Sequence, residues 1–481
     1  MQIQTPDWVK HAVFYQIFPD RFVRAAARKL WLQESSWEPW HVPPTLQGYK
    51  GGDLWGVIEK LDYLQTLGIT AIYFTPIFQS ASNHRYHTHD YFQVDPILGG
   101  NIAFEELLNE AHSRNIKVVL DGVFNHCSRG FFFFNDILEN GPYSPWVDWF
   151  KIEGWPLAPY DGDRPANYES WWDNRALPVF NHDNPSVREY LMEVAEYWLK
   201  LGIDGWRLDV PNEIKTPGFW QEFRDRVKAI NPEAYIVGEI WGDSREWLDG
   251  SQFDGVMNYL FTAPTIAFTA GDRVIREYVE GRSYTPYPAL DAKGYAAKIQ
   301  KLLALYPWEI QQTQLNLLAS HDTARLLSIA DGDRDSVKLG TLLLLTYPGA
   351  PSIYYGDEVG LAGAIDPDSR RGFPLEADWD QDFLDYHRQL IALRHAHPAL
   401  RVGDYKTLYA KGDVYILARS LPTETIVVAV NAGTESATAT LPAMPQALQQ
   451  LFGESTLKQT ANELEITLPQ RSGCILGCNL V

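Results

Sequence analysis

The sequence predicts an α/β fold: a (β/α)8 TIM barrel with a subdomain inserted after strand 3 and a C-terminal antiparallel β-sandwich domain. Short β-rich runs alternate with amphipathic helical segments over most of the 481 residues, which is typical of a parallel sheet covered by helices. One long stretch rich in Gly, Pro, Trp and Asn interrupts this alternation after the third run. Beyond residue 402 apolar and polar residues alternate, which favours antiparallel strands.

Eight short runs are predicted to be the barrel strands, because parallel strands buried on both faces are nearly continuously apolar. In chain order they are Val13–Phe18, Ala71–Thr75, Val118–Asp121, Gly205–Val210, Tyr235–Glu239, Val256–Tyr259, Leu315–Ala319 and Ser352–Tyr355. Amphipathic segments such as Phe104–Ser113, Val187–Leu201 and Phe219–Ile230 are predicted to be helices between them. The third of these begins after Pro217-Gly218 and ends at Asn231-Pro232, which are ordinary helix boundaries.

These patterns divide the chain into three parts. Residues 1–126 and 185–401 are predicted to form the catalytic barrel, and residues 402–481 the C-terminal β-domain. We expect residues 127–184 to fold as an inserted subdomain (domain B), because a structureless loop of that length is improbable. The C-terminal strands are predicted from four alternating runs: Val414–Ala418, Thr425–Val430, Leu464–Leu468 and Gly473–Leu476.

Composition and charge exclude several classes of function. The formal net charge of −20 repels phosphate backbones, so we expect no nucleic-acid partner. The longest apolar stretch, Leu342–Tyr347, is far shorter than a membrane span, so we expect no membrane insertion. The first residues contain no apolar segment of a secretory signal, and the three cysteines are too few for a disulfide framework. These features predict a cytoplasmic location.

Polar residues gather where four of the predicted strands end, and barrel enzymes place their catalytic groups at these C-terminal ends. They are Asp121, Asn125 and His126 after strand 3, Arg207 and Asp209 on strand 4, Glu239 and Trp241 after strand 5, and His321 and Asp322 after strand 7. Three carboxylates, Asp209, Glu239 and Asp322, therefore converge on one mouth of the barrel. Because crowded like charges destabilise a fold, this convergence indicates a function.

Two of these carboxyl groups are expected to differ in protonation. Arg207 and Asp209 are two residues apart on a strand and face the same way, so the guanidinium should keep Asp209 ionised, as a nucleophile requires. Glu239 is followed by Ile240 and Trp241, an apolar flank that should raise its pKa and keep it protonated. An ionised carboxylate beside a neutral acid is the pair that cleaves glycosidic bonds.

Four segments resemble the four short sequence regions of the α-amylase family, glycoside hydrolase family 13: Asp121–His126 (DGVFNH), Gly205–Glu213 (GWRLDVPNE), Val237–Trp241 (VGEIW) and Leu318–Asp322 (LASHD). The resemblance implies that Asp209 is the nucleophile, Glu239 the general acid/base and Asp322 the stabiliser of the transition state. It also implies substrate-binding roles for His84, Tyr86, Asp121, His126, Arg207, Trp241, His321, Asp366 and Arg370.

Further segments narrow the resemblance to one group of that family. Phe14–Arg21, Tyr73–Ile77, Ser82–Tyr86 and Val210–Glu213 look like neopullulanases, cyclomaltodextrinases and maltogenic amylases, and the chain is most similar to cyanobacterial debranching enzymes of this group. This implies a retaining α-glucan hydrolase that cleaves α-1,6 and α-1,4 bonds in maltooligosaccharides, branched glucans, pullulan or cyclodextrins. The group usually begins with an extra N-terminal β-domain, whereas the first strand here begins by Val13. We therefore expect that domain to be absent and the cleft to be more open.

The resemblance also bears on metal ions and assembly. Asn125 matches one calcium ligand of the family, but Ca²⁺ prefers six to eight oxygen ligands. The segment after Arg21 lacks the Asn and Asp cluster through which relatives often bind calcium. We therefore expect that no cofactor is required. The resemblance leaves a calcium site at Asn125 open, but calcium is not expected. The resemblance leaves open whether the chain forms a homodimer.

Three other functions are alternatives to a retaining α-glucan hydrolase. A predominantly transglycosylating amylase of this family uses the same covalent intermediate, and the sequence does not separate it from a hydrolase. A non-catalytic sugar-binding protein on this scaffold tends to lose a carboxylate, whereas this chain retains all three. A metal-dependent barrel hydrolase is suggested by His87-Thr-His89, but that motif belongs on the first strand and here follows the second. The last two functions are disfavoured.

Overall fold

A computed structural model describes residues 3–26, 37–444 and 448–479, and among them eight parallel strands form a barrel. The strands are β1 (Phe14–Ile17), β2 (Ala71–Phe74), β3 (Lys117–Gly122), β4 (Gly205–Leu208), β5 (Tyr235–Gly238), β6 (Gly255–Val256), β7 (Leu315–Asn316) and β8 (Ala350–Tyr354). They are ordered β6-β5-β4-β3-β2-β1-β8-β7, and a parallel bridge from Met257 to Leu315 closes the ring. The predicted barrel is confirmed.

Helices alternate with these strands and cover the outside of the barrel. Within the described residues they are α1 (Asp7–His11), α2 (Pro19–Phe22), α3 (Leu54–Glu59), α4 (Leu61–Leu67), α5 (Gly100–Ser113), α6 (Phe132–Asn140), α7 (Pro185–Leu201), α8 (Phe219–Ile230), α9 (Tyr259–Thr269), α10 (Ala292–Leu303), α11 (Trp308–Gln311), α12 (Leu326–Ile329), α13 (Arg334–Thr346), α14 (Gln381–Ala396) and α15 (Pro398–Val402). None of the helices in the described ranges is both long and apolar enough to cross a membrane.

The seam between β6 and β7 corrects two predicted strands. The run predicted as Val256–Tyr259 is a strand only to Val256, and α9 already begins at Tyr259. The run predicted as Leu315–Ala319 ends as a strand at Asn316. Side-chain amides replace part of the backbone ladder here, since Asn258 Nδ2 donates to Asn316 Oδ1 at 2.8 Å. The apolar pattern correctly predicted that these residues are buried, but a buried segment need not be a strand.

Two apolar layers lie inside and outside the barrel wall. Inward-facing side chains from successive strands form one buried cluster: Phe14, Ala71, Val119, Val237, Leu315 and Ala350. The outward-facing side chains pack under the helices in a larger cluster that includes Ile72, Leu120 and Trp206. Because side chains alternate along a strand, the inward residues nearest the C-terminal ends rise above the inner layer. Those residues form the site described below.

The inserted stretch between residues 127 and 184 folds against the barrel rim. It contains α6 and a set of isolated antiparallel bridges, His126–Val179, Phe150–Phe180, Ile152–Tyr168 and Ser170–Pro178. The first of these bridges ties the end of the insertion back to His126, directly after β3. The insertion is therefore anchored at the rim of the barrel.

The C-terminal part contains two antiparallel sheets that share a buried cluster, which confirms the predicted β-domain. In chain order the strands are β9 (Asp404–Lys411), β10 (Val414–Leu421), β11 (Glu424–Asn431), β12 (Ala437–Pro442), β13 (Gln449–Gly453), β14 (Thr456–Gln459), β15 (Glu463–Leu468) and β16 (Ser472–Asn479). The four predicted runs correspond to β10, β11, β15 and β16. The other four bury few side chains, so their sequences carry a weak alternation.

Candidate active site

The guanidinium of Arg207 joins three carboxyl groups at the C-terminal rim. Arg207 is fully buried on β4, and its Nη1 lies 2.9 Å from both oxygens of Asp121 and 3.2 Å from Asp209 Oδ1. Its Nη2 lies 3.0 Å from Glu239 Oε2, as an ion pair whose angles fall short of a hydrogen bond. The carboxyl groups come from the ends of β3, β4 and β5, so the barrel brings together residues that are distant in sequence.

A chain of hydrogen bonds fixes His321 beside this cluster. The Gln16 side-chain amide lies 2.7 Å from His321 Nδ1, and a donating amide NH₂ leaves the ring proton on Nε2. His321 Nε2 lies 2.6 Å from the hydroxyl of Tyr86, which donates to Asp121 Oδ2 at 2.9 Å. The same Nε2 lies 3.2 Å from Asp322 Oδ2. Burial and nearby guanidinium groups lower the pKa of His321 well below its usual value, so the ring is neutral.

Two tyrosines and a histidine complete the floor of the site. Tyr73 donates to Asp121 Oδ2 at 3.0 Å, and the ring of Tyr86 stacks on His321 with an interplanar angle of 6°. His84 Nδ1 accepts the backbone N–H of Tyr86 at 3.2 Å. Burial raises the pKa of Asp121 to about 6, although Arg207 and the Tyr86 hydroxyl act in the opposite direction. These contacts hold Asp121 as a structural acceptor under the site.

The raised pKa predicted for Glu239 from its sequence neighbours is confirmed, whereas the expectation that Arg207 alone keeps Asp209 ionised is wrong, because burial raises the pKa of Asp209 as well. Burial raises the pKa of both carboxyl groups, each is raised further by nearby acids, and Arg207 lowers both. Glu239 also accepts hydrogen bonds from Val210 N–H and Trp241 Nε1, each at 3.2 Å, so Trp241 is not simply an apolar flank. Because Asp209 and Glu239 contact the same guanidinium, they titrate as a pair. The residues next to each of them in the sequence therefore do not determine its charge.

The backbone between Asp209 and Glu239 is strained. Val210 has φ 36° and ψ 48°, a left-handed conformation that costs a β-branched residue about 1–2 kcal/mol. In this conformation the N–H of Val210 is directed at Glu239 Oε2. Stored strain of this kind is characteristic of functional sites.

A second guanidinium lies on the other side of Asp322. Arg370 Nη2 is 3.5 Å from Asp322 Oδ1, and its Nε donates to the backbone oxygen of His321 at 2.9 Å. Its Nη1 forms an ion pair with Asp366 Oδ1 at 3.0 Å. The structure therefore brings the predicted pair Asp366 and Arg370 to the same rim as the three carboxyl groups.

Comparisons with known proteins identify the family. The profile of the alpha amylase catalytic domain matches residues 16–389, and that of the alpha-amylase C-terminal domain matches residues 403–476. The chain belongs to the α-amylase family. It is 71% identical to a crystal structure of the debranching enzyme from Nostoc punctiforme, covering 99% of this chain and 100% of that one with a TM-score of 0.93. It is 44% identical over 433 residues to a cyclomaltodextrinase of a Bacillus species, spanning 89% of this chain and 74% of that protein.

A further relative is similar in sequence over nearly the whole chain. Neopullulanase 2 of Thermoactinomyces vulgaris is 40% identical over 485 residues, which span 98% of this chain and 78% of that protein. The resemblance stated from the sequence is thereby confirmed, and the chain is a glycoside hydrolase of the α-amylase family.

Two rings of this α-amylase family enzyme flank the carboxyl cluster. His126 is buried, its Nδ1 faces the Asn125 amide at 3.3 Å, and its Nε2 has no partner among the described residues. The ring stacks on Trp171 at a centroid distance of 5.1 Å. Trp241 stacks on Tyr259 at 3.5 Å with an angle of 5°, so one face of this predicted platform is already covered.

The residues considered for metal binding lie apart from any ion-binding arrangement. Within the described ranges, no group of three or more His, Cys, Asp or Glu side chains is placed to hold a metal ion. The side chain of Asn125 faces His126, and His87 contacts the ring of His84 edge-on. Residues 27–36, in the segment that lacks the Asn and Asp cluster, lie outside the described residues.

Sequence reasoning missed four residues of the α-amylase family site. Gln16 and Tyr73 point inward from β1 and β2, Val210 directs its N–H at Glu239, and Trp171 stacks on His126. A signal existed for Gln16, since a polar side chain in an apolar strand must find a buried partner. The conformation of Val210 and the stacking of Trp171 depend on tertiary contacts that leave no local pattern.

Proposed function

We propose that this enzyme hydrolyses α-glucosidic bonds of α-glucans with retention, with Asp209 as nucleophile, Glu239 as general acid/base and Asp322 as stabiliser of the transition state. The observation that carries the proposal is the placement of Asp209 and Glu239 on one buried guanidinium, with Asp322 on the neighbouring His321. The names of the relatives, a debranching enzyme, a cyclomaltodextrinase and a neopullulanase, support an α-glucan substrate.

The reaction needs one proton shared between two acids. In the productive state Glu239 holds the proton and Asp209 is ionised, so Glu239 protonates the leaving oxygen while Asp209 attacks the anomeric carbon. Burial raises the pKa of Glu239, which favours the protonated form that this step requires. Once the leaving sugar departs, Glu239 is ionised, and Arg207 Nη2 at 3.0 Å stabilises that charge. Glu239 then takes a proton from water as the water oxygen bonds to the anomeric carbon, which breaks the bond to Asp209 and leaves Asp209 ionised and Glu239 protonated.

The neighbouring side chains are proposed to hold the sugar at the cleavage point. His126 Nε2 has no hydrogen-bond partner among the described residues, so we propose that it bonds a sugar hydroxyl group, whereas His321 Nε2 is engaged by the hydroxyl of Tyr86. Tyr86 presents a ring stacked on His321, and His84 lies against it. On the opposite side Arg370 and Asp366 are proposed to contact the next sugar, and Trp241 the leaving side.

Replacement of the two catalytic acids tests this assignment. Asp209→Asn and Glu239→Gln should each lower kcat by at least about 1,000-fold, because each removes a group that acts only in the transition state. Glu246→Gln, an exposed glutamate after the same strand, is the matched control and should retain wild-type kcat. A fluorinated glycosyl substrate should label Asp209. Normal turnover in either acid variant, or a label on another residue, would overturn the assignment.

We propose that the enzyme cleaves both α-1,6 and α-1,4 bonds. This is supported by the 71% identity to a debranching enzyme and by similarity to a neopullulanase over nearly the whole chain. Products of pullulan, branched maltooligosaccharides and cyclodextrins, separated by chromatography, give the ratio of the two cleavages. Release of linear chains from branches without cleavage of α-1,4 bonds would restrict the proposal to debranching. Equal rates of hydrolysis on cyclodextrins and on branched glucans would contradict the expectation of a more open cleft.

Transfer to a second sugar is the main alternative to hydrolysis, because a sugar and water compete for the same intermediate on Asp209. We propose that water is the dominant acceptor. Incubation of a branched maltooligosaccharide with excess maltose tests this. Products longer than the substrate in more than a minor fraction would identify a predominantly transglycosylating enzyme.

We propose that activity requires no metal or other cofactor, because Arg207 and Arg370 supply the positive charge next to the reacting carboxyl groups. Exhaustive dialysis against a chelator should leave kcat unchanged. Loss of activity that Ca²⁺ restores would overturn this, and calcium would then be sought near Asn125.

We also propose that the enzyme acts inside the cell, on cytoplasmic maltooligosaccharides or branched glucans. Two relatives with 36% identity are named intracellular maltogenic amylases. Cell fractionation with an antibody tests the location. The homodimer that the family resemblance left open stays a prediction, and light scattering of the purified enzyme tests it.

A further inference from the structure

Three stacked rings lead from the catalytic rim to the surface of the inserted subdomain. His126 stacks on Trp171 with an angle of 18°, and Trp171 stacks on Trp172 with ring centroids 4.7 Å apart and an angle of 16°. The first ring is buried, and the last is 78% exposed. The ring ladder, as we call His126, Trp171 and Trp172, therefore ends in an open indole face near the mouth of the active site.

The backbone at the outer end of the ladder is strained. Trp172 has φ 50° and ψ 42°, and the next residue, Asp173, has φ 58°. Both lie in the left-handed region, where a Cβ is crowded and glycine or asparagine is ordinarily found. Backbone hydrogen bonds from Trp171 N–H to Leu177 O and from Asn174 N–H to Trp171 O, both 3.0 Å, hold the turn. The turn itself therefore does not need the Trp172 side chain.

An exposed indole at a strained position is unfavourable for a fold. It buries little apolar surface, and a glycine would relieve the strain. Bulky residues kept in such conformations are concentrated where a protein contacts a ligand. Two buried nitrogens along the ladder, His126 Nε2 and Trp171 Nε1, also lack a partner among the described residues. Buried donors of this kind are normally satisfied, so they indicate polar groups of a ligand close by.

These features select one class of ligand. A flat indole face binds a flat apolar surface, and unpartnered N–H groups beside it bind hydroxyl oxygens. A glucopyranose ring offers both, with C–H groups on its faces and hydroxyl groups around its edge.

We propose that Trp172 is a stacking platform for a glucosyl residue that lies beyond the catalytic rim, and that the ring ladder sets the preference of the enzyme for longer or branched chains. The inference rests on the proposed hydrolysis of α-glucans and adds a binding residue to it. A chain that reaches from the carboxyl cluster to Trp172 gains this contact, whereas a chain that ends at the cluster does not.

Kinetics as a function of chain length test the platform. Wild type, Trp172→Gly, Trp172→Phe and the control Tyr143→Ala are compared on maltooligosaccharides of increasing length and on branched forms. Tyr143 is a suitable control because it is 91% exposed on the same subdomain and lies outside the ladder. Trp172→Gly should raise KM for long chains about tenfold, more than for the shortest cleaved chain, and leave kcat nearly constant. Trp172→Phe should restore most of the loss, and Tyr143→Ala should match wild type.

Direct binding separates this inference from the catalytic assignment. Each platform variant is combined with Glu239→Gln and titrated with a long maltooligosaccharide by calorimetry, with Kd expected to rise about tenfold for Trp172→Gly. If Glu239→Gln retains turnover, the catalytic assignment fails, while the ratio of KM values still tests the platform. An unchanged Kd, an equal KM effect on short and long chains, or a loss of thermal stability in Trp172→Gly that accounts for the weaker binding would overturn the inference.

Discussion

Replacement of Arg207 by methionine is expected to destabilise the enzyme in a pH-dependent manner. The side chain is fully buried and faces Asp121, Asp209 and Glu239 at 2.9–3.2 Å. Removing one partner of a buried ion pair leaves uncompensated charge and costs about 3–5 kcal/mol. At about 2.1 cal/mol/K per residue, a chain of 481 residues loses about 1 kcal/mol per degree, so Tm at neutral pH should fall by about 3–5 °C.

The pH dependence follows from the direction of the pKa shifts. Burial raises the pKa of all three carboxyl groups and Arg207 lowers it, so Arg207→Met should raise it further. A carboxyl group whose pKa is higher in the folded than in the unfolded protein does not lower the free energy of unfolding while pH stays below the unfolded pKa. As pH rises from the unfolded pKa through the folded pKa, the free energy of unfolding falls. The difference in free energy of unfolding between Arg207→Met and wild type should therefore be small at pH 4.5 and reach its full size above pH 7.

Urea unfolding at pH 4.5 and 7.5 measures this difference. Arg394→Met is the matched control, because Arg394 is equally buried but donates to the backbone oxygens of Leu345, Leu400 and Gly349. Arg394→Met should lower the free energy of unfolding by the same amount at both pH values. In the Arg207→Met background, Asp121→Asn should recover part of the loss at pH 7.5. A cost for Arg207→Met that does not change with pH would refute the reasoning.

Three further predictions test other contacts. Tyr86→Phe removes the hydroxyl donor to Asp121 but keeps the stacked ring, so steady-state assays should show kcat/KM lowered about 10–100-fold with little change in Tm. Asp204 has a lowered pKa and accepts hydrogen bonds from Lys117 and a backbone N–H, so Asp204→Asn should cost about 1–2 kcal/mol at pH 7. Acid titration of the free energy of unfolding should show this difference disappearing as pH falls through the lowered folded pKa of Asp204. Burial raises the pKa of Glu358 to about 7. Between pH 4.5 and 7.5 the free energy of unfolding in urea should therefore fall by up to about 3 kcal/mol more for wild type than for Glu358→Gln. The same fall in both proteins would contradict this.

The sequence specified the barrel and the position of its acids because both leave local signals. Alternating strands and helices have their own periodicities, and a polar residue directly after a buried strand must lie at the strand end. Asp209, Glu239 and Asp322 are therefore placed on one rim by strand counting alone. The family motifs around them are continuous short segments, which is why the resemblance was visible before the fold was known.

Only the tertiary structure decided how these groups affect each other. The sequence predicts that Arg207 acts on Asp209, two residues away, but Arg207 also contacts Asp121 and Glu239 on neighbouring strands. Val210 and Trp241 donate hydrogen bonds to Glu239. A pKa depends on all charges and donors within a few ångströms, whatever their separation in sequence. The chain order gives neighbours along a strand, whereas protonation, stacking and strain arise from neighbours across strands, which exist only after the barrel closes.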